Sequence, residues 1–361
     1  MSDLPITPER VTAGWLTEAL RVRFPGVTVK SMKASSAIQG TAGKIRVRVT
    51  YDAAGNAAGL PASLVVKGGF SAHRELMYRE YMLEARFYAE VAPRLPAIRV
   101  PNCYYAGWDD TQRQALVVLE DLDARGAAFC RVQQTLTFAQ AVSQLDLQAT
   151  YHAQWWMSPE FETGGALDWV EPLDPLPEGA AGTYQRGQLQ PGVYAHYMSL
   201  PRGVAVSRMF HDRDRMERAM ELLRVVDRSG PHCFLHVDPH LGNLYIDADG
   251  VAGLLDWQAP RRGPWVHDFA YFLISSLDVL DRREWERPLL QHYLDALRAH
   301  GVAAVPAFED AWLAYRRQAV YGLYYWLVNP VEFQVEVNNC AVAPRFALAA
   351  IDHDTFALLG A

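Results

Sequence analysis

The stretch His236-Val-Asp-Pro-His-Leu-Gly-Asn243, followed thirteen residues later by Asp256 in Leu254-Leu-Asp-Trp257, decides how this chain reads. Phosphoryl transfer asks a protein for one carboxylate that orients a hydroxyl and for separate oxygen ligands that hold Mg²⁺ against a triphosphate. Asp238, Asn243 and Asp256 form such a set. The spacing from Asp238 to Asn243 suits a short loop that aims the carboxylate at an acceptor and the amide at metal. An Asp249-Gly250 turn then lets a hairpin return Asp256 alongside. Asp256 ends an apolar strand, where a carboxylate without a cation costs on the order of several kcal/mol, so a cation is expected there.

Upstream, Lys67 closes the apolar run SLVVK, and it is the last lysine in the chain. Only Lys30, Lys33, Lys44 and Lys67 are lysines, against 30 arginines, so a lysine inside an apolar strand stands out. An ammonium at Lys67 reaches nucleotide phosphates if a carboxylate on the next helix steadies its stem. Glu84 is the candidate, with Glu75, Glu80 and Glu90 left open by helical phase. The loop Gln39-Gly-Thr-Ala-Gly43 offers backbone N–H groups, at Gly40, Thr41 and Gly43, to lay over phosphates. Leu119-Glu-Asp-Leu122 leaves an apolar strand, and the backbone of Glu120 and Leu122 suits an adenine edge.

Periodicity sets these residues in a fold of the α+β class. Residues 27–68 alternate as strands, with Ile45, Val47, Val49 and Tyr51 on one face. Residues 74–92 lack Gly and Pro and read as a helix, and CYYAGW and QALVVLED read as two further strands. An opening helix is expected from Pro8 to Arg23, and a turn from Ala53 to Gly59. Beyond Asp121 helices dominate, near 136–157, 209–228, 266–279, 283–300, 306–328 and 344–358, interrupted by the hairpin that carries Asp256. The expected organisation is a β-rich nucleotide-binding lobe over residues 1–120 and a helical lobe with catalytic loop and acceptor pocket over 121–361. Residues 158–208, with several Gly and Pro, read as an insertion or a substrate cap.

Composition narrows the partners. The 361 residues carry a formal charge of -7, with 34 basic against 41 acidic side chains, so no basic face is advertised and nucleic acid is not an expected partner. No apolar run is long enough to span a bilayer and the N-terminus lacks the pattern of a secretory signal, so a cytoplasmic protein with no membrane role is expected. Cys103, Cys130, Cys233 and Cys340 have no metal-type spacing and read as reduced thiols. Oligomeric state is not legible.

With Lys67, Glu84, HVDPHLGN and LLDW in order, the chain resembles the aminoglycoside phosphotransferase and choline kinase branch of the protein kinase-like superfamily. Segments such as FYAEV, VPNCYYAGW, LVVLEDL and HAQWW look like its ecdysteroid-kinase-like bacterial members. The resemblance implies a bilobal kinase-like fold and ATP- and Mg²⁺-dependent transfer of the γ-phosphate to a small-molecule hydroxyl. By the same resemblance Asp238 is the catalytic base, Asn243 and Asp256 are the metal ligands, and Lys67 with Glu84 holds phosphate. HVD stands where relatives have HGD, and LLDW replaces a DFG triplet. Eleven residues separate Asp256 from Asp268, too few for a peptide-docking activation loop. An antibiotic, an aminoalcohol or a partly apolar alcohol is the expected acceptor.

Two other readings compete. His236, Asp238 and His240 alternate and on a strand would face one way, as in a metal-dependent hydrolase. A nucleotide-binding scaffold without transfer is the other. Asp268 is expected to support the loop, His236 to orient it, and His152 to lie in the core.

Overall fold

The computed structural model describes residues 3–35, 42–71, 74–95, 98–174, 176–177 and 179–361. Two compact units make up the chain, Met1–Ala128 with Leu254–Ala259, and Phe129–Gly253 with Pro260–Ala361. The division thus lies beyond the boundary expected at 120/121, and the short segment that contains Asp256 belongs with the first unit.

The first unit is built on a five-stranded antiparallel sheet. Its strands are β1 (Val29–Ala34), β2 (Gly43–Tyr51), β3 (Ser63–Gly68), β4 (Cys103–Asp109) and β5 (Gln114–Glu120), in the order β1-β2-β3-β5-β4. Period-2 alternation puts Ile45, Val47, Val49 and Tyr51 of β2 on one face with Leu64, Val66, Leu116 and Val118, where Trp15, Leu16 and Leu20 of the helix Ala13–Arg21 join them. Burying each such side chain contributes roughly 1.5–3 kcal/mol. The opposite face of β2 and β3 therefore carries Lys44, Arg46 and Lys67, and this polar face positions the site. The helix Arg74–Arg86 continues as a π-helical turn, Phe87–Val91, which presents Phe87 to Trp257 as a parallel stack with centroids 4.0 Å apart.

Local chemistry explains two departures from expectation. The opening helix is broken into a short turn at Pro8–Arg10 and the helix Ala13–Arg21, because the Thr12 hydroxyl accepts from the Trp15 N–H and caps a fresh start. The expected turn after β2 is a short helix, Ala53–Ala57, capped by Asp52.

The second unit is mostly helical, with Phe138–Gln154, Arg213–Asp227, Val266–Ser276, Val279–Ala299, Phe308–Val328 and Glu336–Asp352 as its main helices. The last begins eight residues before Pro344, the expected starting point. Pro344 lies inside it, and burial of Asn339, Val342, Ala343 and Phe346 carries the helix through the proline. Residues 158–208 contain the helices Gly179–Gly187, Pro191–Ser199 and Pro201–Val204. The hairpin closes as expected, with Asp247 and Val251 bonded across a turn in which Gly250 has φ 81°. Among the described residues no helix is long and apolar enough to cross a membrane, and all four cysteines are free, with only Cys233 buried.

Candidate active site

In the first unit the Lys67 ammonium donates to Glu84 at 2.7 Å and to Asp256 at 2.6 Å. Strand β3 delivers the lysine on its polar face, the helix Arg74–Arg86 delivers the glutamate, and Asp256 arrives on the segment that follows the hairpin. That segment is anchored where the Leu254 N–H donates to the Arg99 carbonyl at 3.0 Å. Asp256 then adopts a left-handed φ of 62°, and Trp257 is pinned on Phe87. The Trp of LLDW thus has a packing role that fixes its neighbour.

Lys67 and Glu84 are almost wholly buried, while the Asp256 side chain keeps 21% of its surface. Burial opposes the ammonium, but Asp256 and Glu84 outweigh it and raise the Lys67 pKa, so the lysine stays charged. Burial raises the Glu84 pKa despite Lys67, since one ammonium shared by two carboxylates compensates neither fully. The alternatives to Glu84 are resolved by their partners. Glu75 meets Arg74 and Arg113, and Glu90 meets Arg86.

Other residues expected in the nucleotide site divide. Gly40 and Thr41 lie outside the described residues. Gly43 opens β2 opposite Gly68, and a Cβ there would come within 2.7 Å of the Phe70 Cβ, so close packing is reason enough for glycine. The Glu120 carboxylate accepts from Asn102 and Arg125, and its N–H donates to the Asn102 carbonyl. Leu122 is the first residue of a one-turn helix, Leu122–Arg125, where an N–H has no intrahelical acceptor.

In the second unit the loop after the strand His232–Leu235 is held by two consecutive residues of one helix. The buried Asp268 carboxylate accepts from the N–H groups of His236 at 2.7 Å and Val237 at 2.8 Å and from the Tyr151 hydroxyl at 2.8 Å. The His267 ring bonds the Val237 carbonyl at 2.9 Å. Val237 has φ 78°, a strained conformation for a β-branched residue, and both of its backbone groups are tied down to keep it there. Burial works against the Asp268 charge, but the hydrogen bond from His152 leads the terms that hold its pKa at about 2. Burial also lowers the His152 pKa, so hydrogen bonding rather than histidine charge sustains the carboxylate near neutral pH.

This clamp leaves Asp238 beyond the bend with 38% of its side chain exposed. The Asn243 amide donates to the Asp238 carbonyl at 2.9 Å and to its carboxylate at 3.3 Å, which turns the amide oxygen the other way. The His236 ring accepts from the Asp238 N–H, and the His240 ring from the Gly242 N–H. The alternation that a hydrolase site would need is therefore missing: 236–240 is loop, and both histidines serve its backbone. Among the described residues no group of three or more His, Cys, Asp or Glu is arranged to hold a metal ion.

Sequence reasoning anticipated Asp268 as support and His152 as a core residue; the helix itself starts after Trp265, which makes no side-chain capping bond. That reasoning missed His267 and Tyr271. All eleven residues of Val266–Ser276 are buried, so a His-Asp pair inside that apolar run was itself a sign of obligatory partners. Tyr271 lies on the same helix as Asp268; burial and then the Asp238 charge raise its pKa, so the phenol keeps its proton. Tyr321 meets His267 edge-on at 4.4 Å, and Trp326 meets His240 edge-on at 5.3 Å, so aromatic side chains surround the loop.

The chain matches the model of the phosphotransferase enzyme family over residues 64–312, well over half its length. It is similar in fold to an ethanolamine kinase of Plasmodium vivax, with TM-score 0.54 and 10% identity over 90% of this chain and 83% of that one. A spectinomycin phosphotransferase solved with ADP and spectinomycin has TM-score 0.51 and 12% identity over 96% and 99%. The choline kinase LicA of Streptococcus pneumoniae has TM-score 0.50 and 12% identity over 93% and 98%. A Caenorhabditis elegans protein named an uncharacterized oxidoreductase, dhs-27, is 23% identical over 338 residues, 83% of this chain but 39% of that protein, so the chain spans about two fifths of this curated relative. The expected kinase-like α+β fold stands. By its match over residues 64–312, this chain belongs to the phosphotransferase enzyme family.

Proposed function

We propose that the chain transfers the γ-phosphoryl group of ATP to a hydroxyl of a small molecule. One observation carries the reading: a buried lysine on the polar face of the sheet, held at 2.7 and 2.6 Å by a helix glutamate and by the aspartate that follows the hairpin. A merely structural ion pair needs one carboxylate. Two around one ammonium make a site whose charges rearrange when a polyanion enters with its cation.

In this reading Lys67 meets phosphate oxygens, and Glu84 keeps it in place. Backbone groups of Glu120 and Leu122 face the base. Asn243 and Asp256 present hard oxygen donors suited to Mg²⁺, and the Asn243 amide is oriented with its oxygen away from Asp238. When bound, the ion would offset phosphate charge. Asp238 orients the acceptor hydroxyl. As that oxygen bonds to the γ-phosphorus, the bond from phosphorus to the β–γ bridging oxygen breaks, ADP departs with the electron pair, and the hydroxyl proton passes to the Asp238 carboxylate. The Asn243 amide, 3.3 Å from the Asp238 carboxylate, helps to orient it, and Tyr271 keeps its proton beside that charge.

The acceptor in this reading is an alcohol with an apolar or aromatic-compatible body. Support for a small-molecule hydroxyl comes from the spectinomycin, choline and ethanolamine kinases whose fold the chain shares, and support for an apolar body from Trp326 packed on His240 and Tyr321 on His267. Parallel incubations with [γ-³²P]ATP and [α-³²P]ATP across a panel of alcohols, aminoalcohols and antibiotics test it. Label from the γ position should enter an acceptor while label from the α position remains in ADP. Transfer of the α label, or no nucleotide turnover with any acceptor, would overturn it.

A further inference from the structure

Lys44 and Lys67 are direct partners in the register of β2 and β3, so two lysines stand opposite each other on the polar face of the sheet. Like charges directly opposed on neighbouring strands destabilise a sheet unless an anion lies between them. The two carboxylates at hand are both engaged by Lys67. Lys44 is half-buried, and among the described residues no hydrogen bond or ion pair ends on its ammonium.

The next cation on that face of β2 is treated differently. Arg46 is paired with Asp121 at 2.9 Å and also with Asp123. One strand therefore carries a neutralised arginine and, two residues earlier, a lysine without an anion, beside the site where a polyphosphate is proposed to bind. Burial and then Lys67 lower the Lys44 pKa, and Asp256 and Glu84, which Lys67 already engages, only partly offset them.

We propose that Lys44 is a second phosphate-binding residue, its ammonium meeting non-bridging oxygens of the nucleotide's phosphate chain from β2 while Lys67 meets them from β3. The assignment rests on the ATP-dependent reading above and deepens it. It makes the nucleotide pocket a two-lysine cradle, in which the phosphate chain itself relieves the repulsion between the strands. A lysine held this way contributes nothing to the base, so its effect grows with the number of phosphates.

The test is calorimetric titration of ATP with Mg²⁺, AMP and adenosine into the wild type, Lys44→Met and Lys44→Arg, with the melting temperature of each. Lys44→Met should weaken ATP about tenfold or more and AMP less, with adenosine unchanged. Lys44→Arg should recover most of the ATP affinity. The melting temperature of Lys44→Met should equal or exceed that of the wild type, because an unpaired cation opposite Lys67 is gone. ATP affinity within twofold of wild type, with adenosine binding intact, would overturn the role of Lys44 and leave the nucleotide reading standing. Equal losses for ATP and adenosine would mark a packing effect and also overturn it. A wild type that binds none of the three would remove the nucleotide reading and the assignment with it. If Lys44→Met does not fold, Lys44→Gln is read by the same criteria.

Discussion

The two charged regions of this protein solve opposite problems. Around Lys67 the cation itself is matched: the ammonium is buried and bonded to two carboxylates, and its pKa is raised so that it stays protonated. Around Asp238 the charge is left partly bare. The carboxylate is 38% exposed, and the strong bonds are spent one shell away, where Asp268 and His267 hold the backbone of Val237 in a left-handed bend. In the proposed function, the group that meets an anion is stored neutralised, and release of its partners is part of binding. The group proposed to receive a proton is held mainly through its backbone, and its carboxylate keeps an exposed side.

Asp238→Asn gives the sharpest contrast. It should lower kcat by about 10²–10⁴-fold while leaving the affinity for ATP within twofold, because the amide keeps the shape but takes no proton. Steady-state rates with a responsive acceptor, beside calorimetry, check it; parallel losses in rate and affinity would break the distinction between the regions. Asp268→Ala comes next. It strips acceptors from two backbone N–H groups and the Tyr151 hydroxyl, and should cost on the order of 3 kcal/mol in urea unfolding and remove activity with it. A stable Asp268→Ala protein with normal turnover would show that the strained bend does not depend on the clamp.

In the first unit, Glu84→Gln should weaken ATP by about tenfold and Lys67→Met by at least as much. The double variant should lose less than the product of the two, since both act through one ammonium. Strict additivity in a double-mutant cycle would mean that Glu84 does not steady Lys67.

A control on buried carboxylates lies outside both regions. The Asp227 carboxylate accepts from the Gln318 amide at 2.7 Å and, among the described residues, bonds no cation, and burial pushes its pKa up to about 8. Its folded value exceeds its unfolded value of about 4, so the stability tied to its proton is present below about pH 4 and is lost as pH rises through about 8. Asp227→Asn should therefore gain on the wild type by up to about 1.4 kcal/mol per pH unit across that window. Unfolding curves at pH 5 and pH 8 read it, and an unchanged difference between the two proteins would refute the raised value. Asp268, whose pKa is held at about 2, shows the reverse: its contribution is present above about pH 4 and fades toward pH 2.

What the sequence made legible follows from how local the signals are. Strand alternation in β2 exposed the sheet's two faces, and the charged residue ending each apolar strand pointed to Lys67 and Asp256. Helical phase alone left Glu84 among four glutamates, because the choice depends on where the helix meets β3, a fact of packing between distant segments. The clamp on Val237 was half legible. Asp268 drew notice as a carboxylate, whereas His267 and Tyr271 act through a backbone carbonyl and a hydroxyl, contacts that no spacing rule encodes. The Pro344 reading failed for a related reason: proline marks a helix start in isolation, and a buried face of Asn339, Val342, Ala343 and Phe346 overrode it.

The division of labour between the two regions is tested most directly by one calorimetric comparison, the affinity for ATP with Mg²⁺ of Lys67→Met against that of Asp238→Asn. The account predicts a loss of tenfold or more for the lysine variant and wild-type affinity for the aspartate variant. Wild-type affinity in Lys67→Met, or a large loss confined to Asp238→Asn, would contradict it.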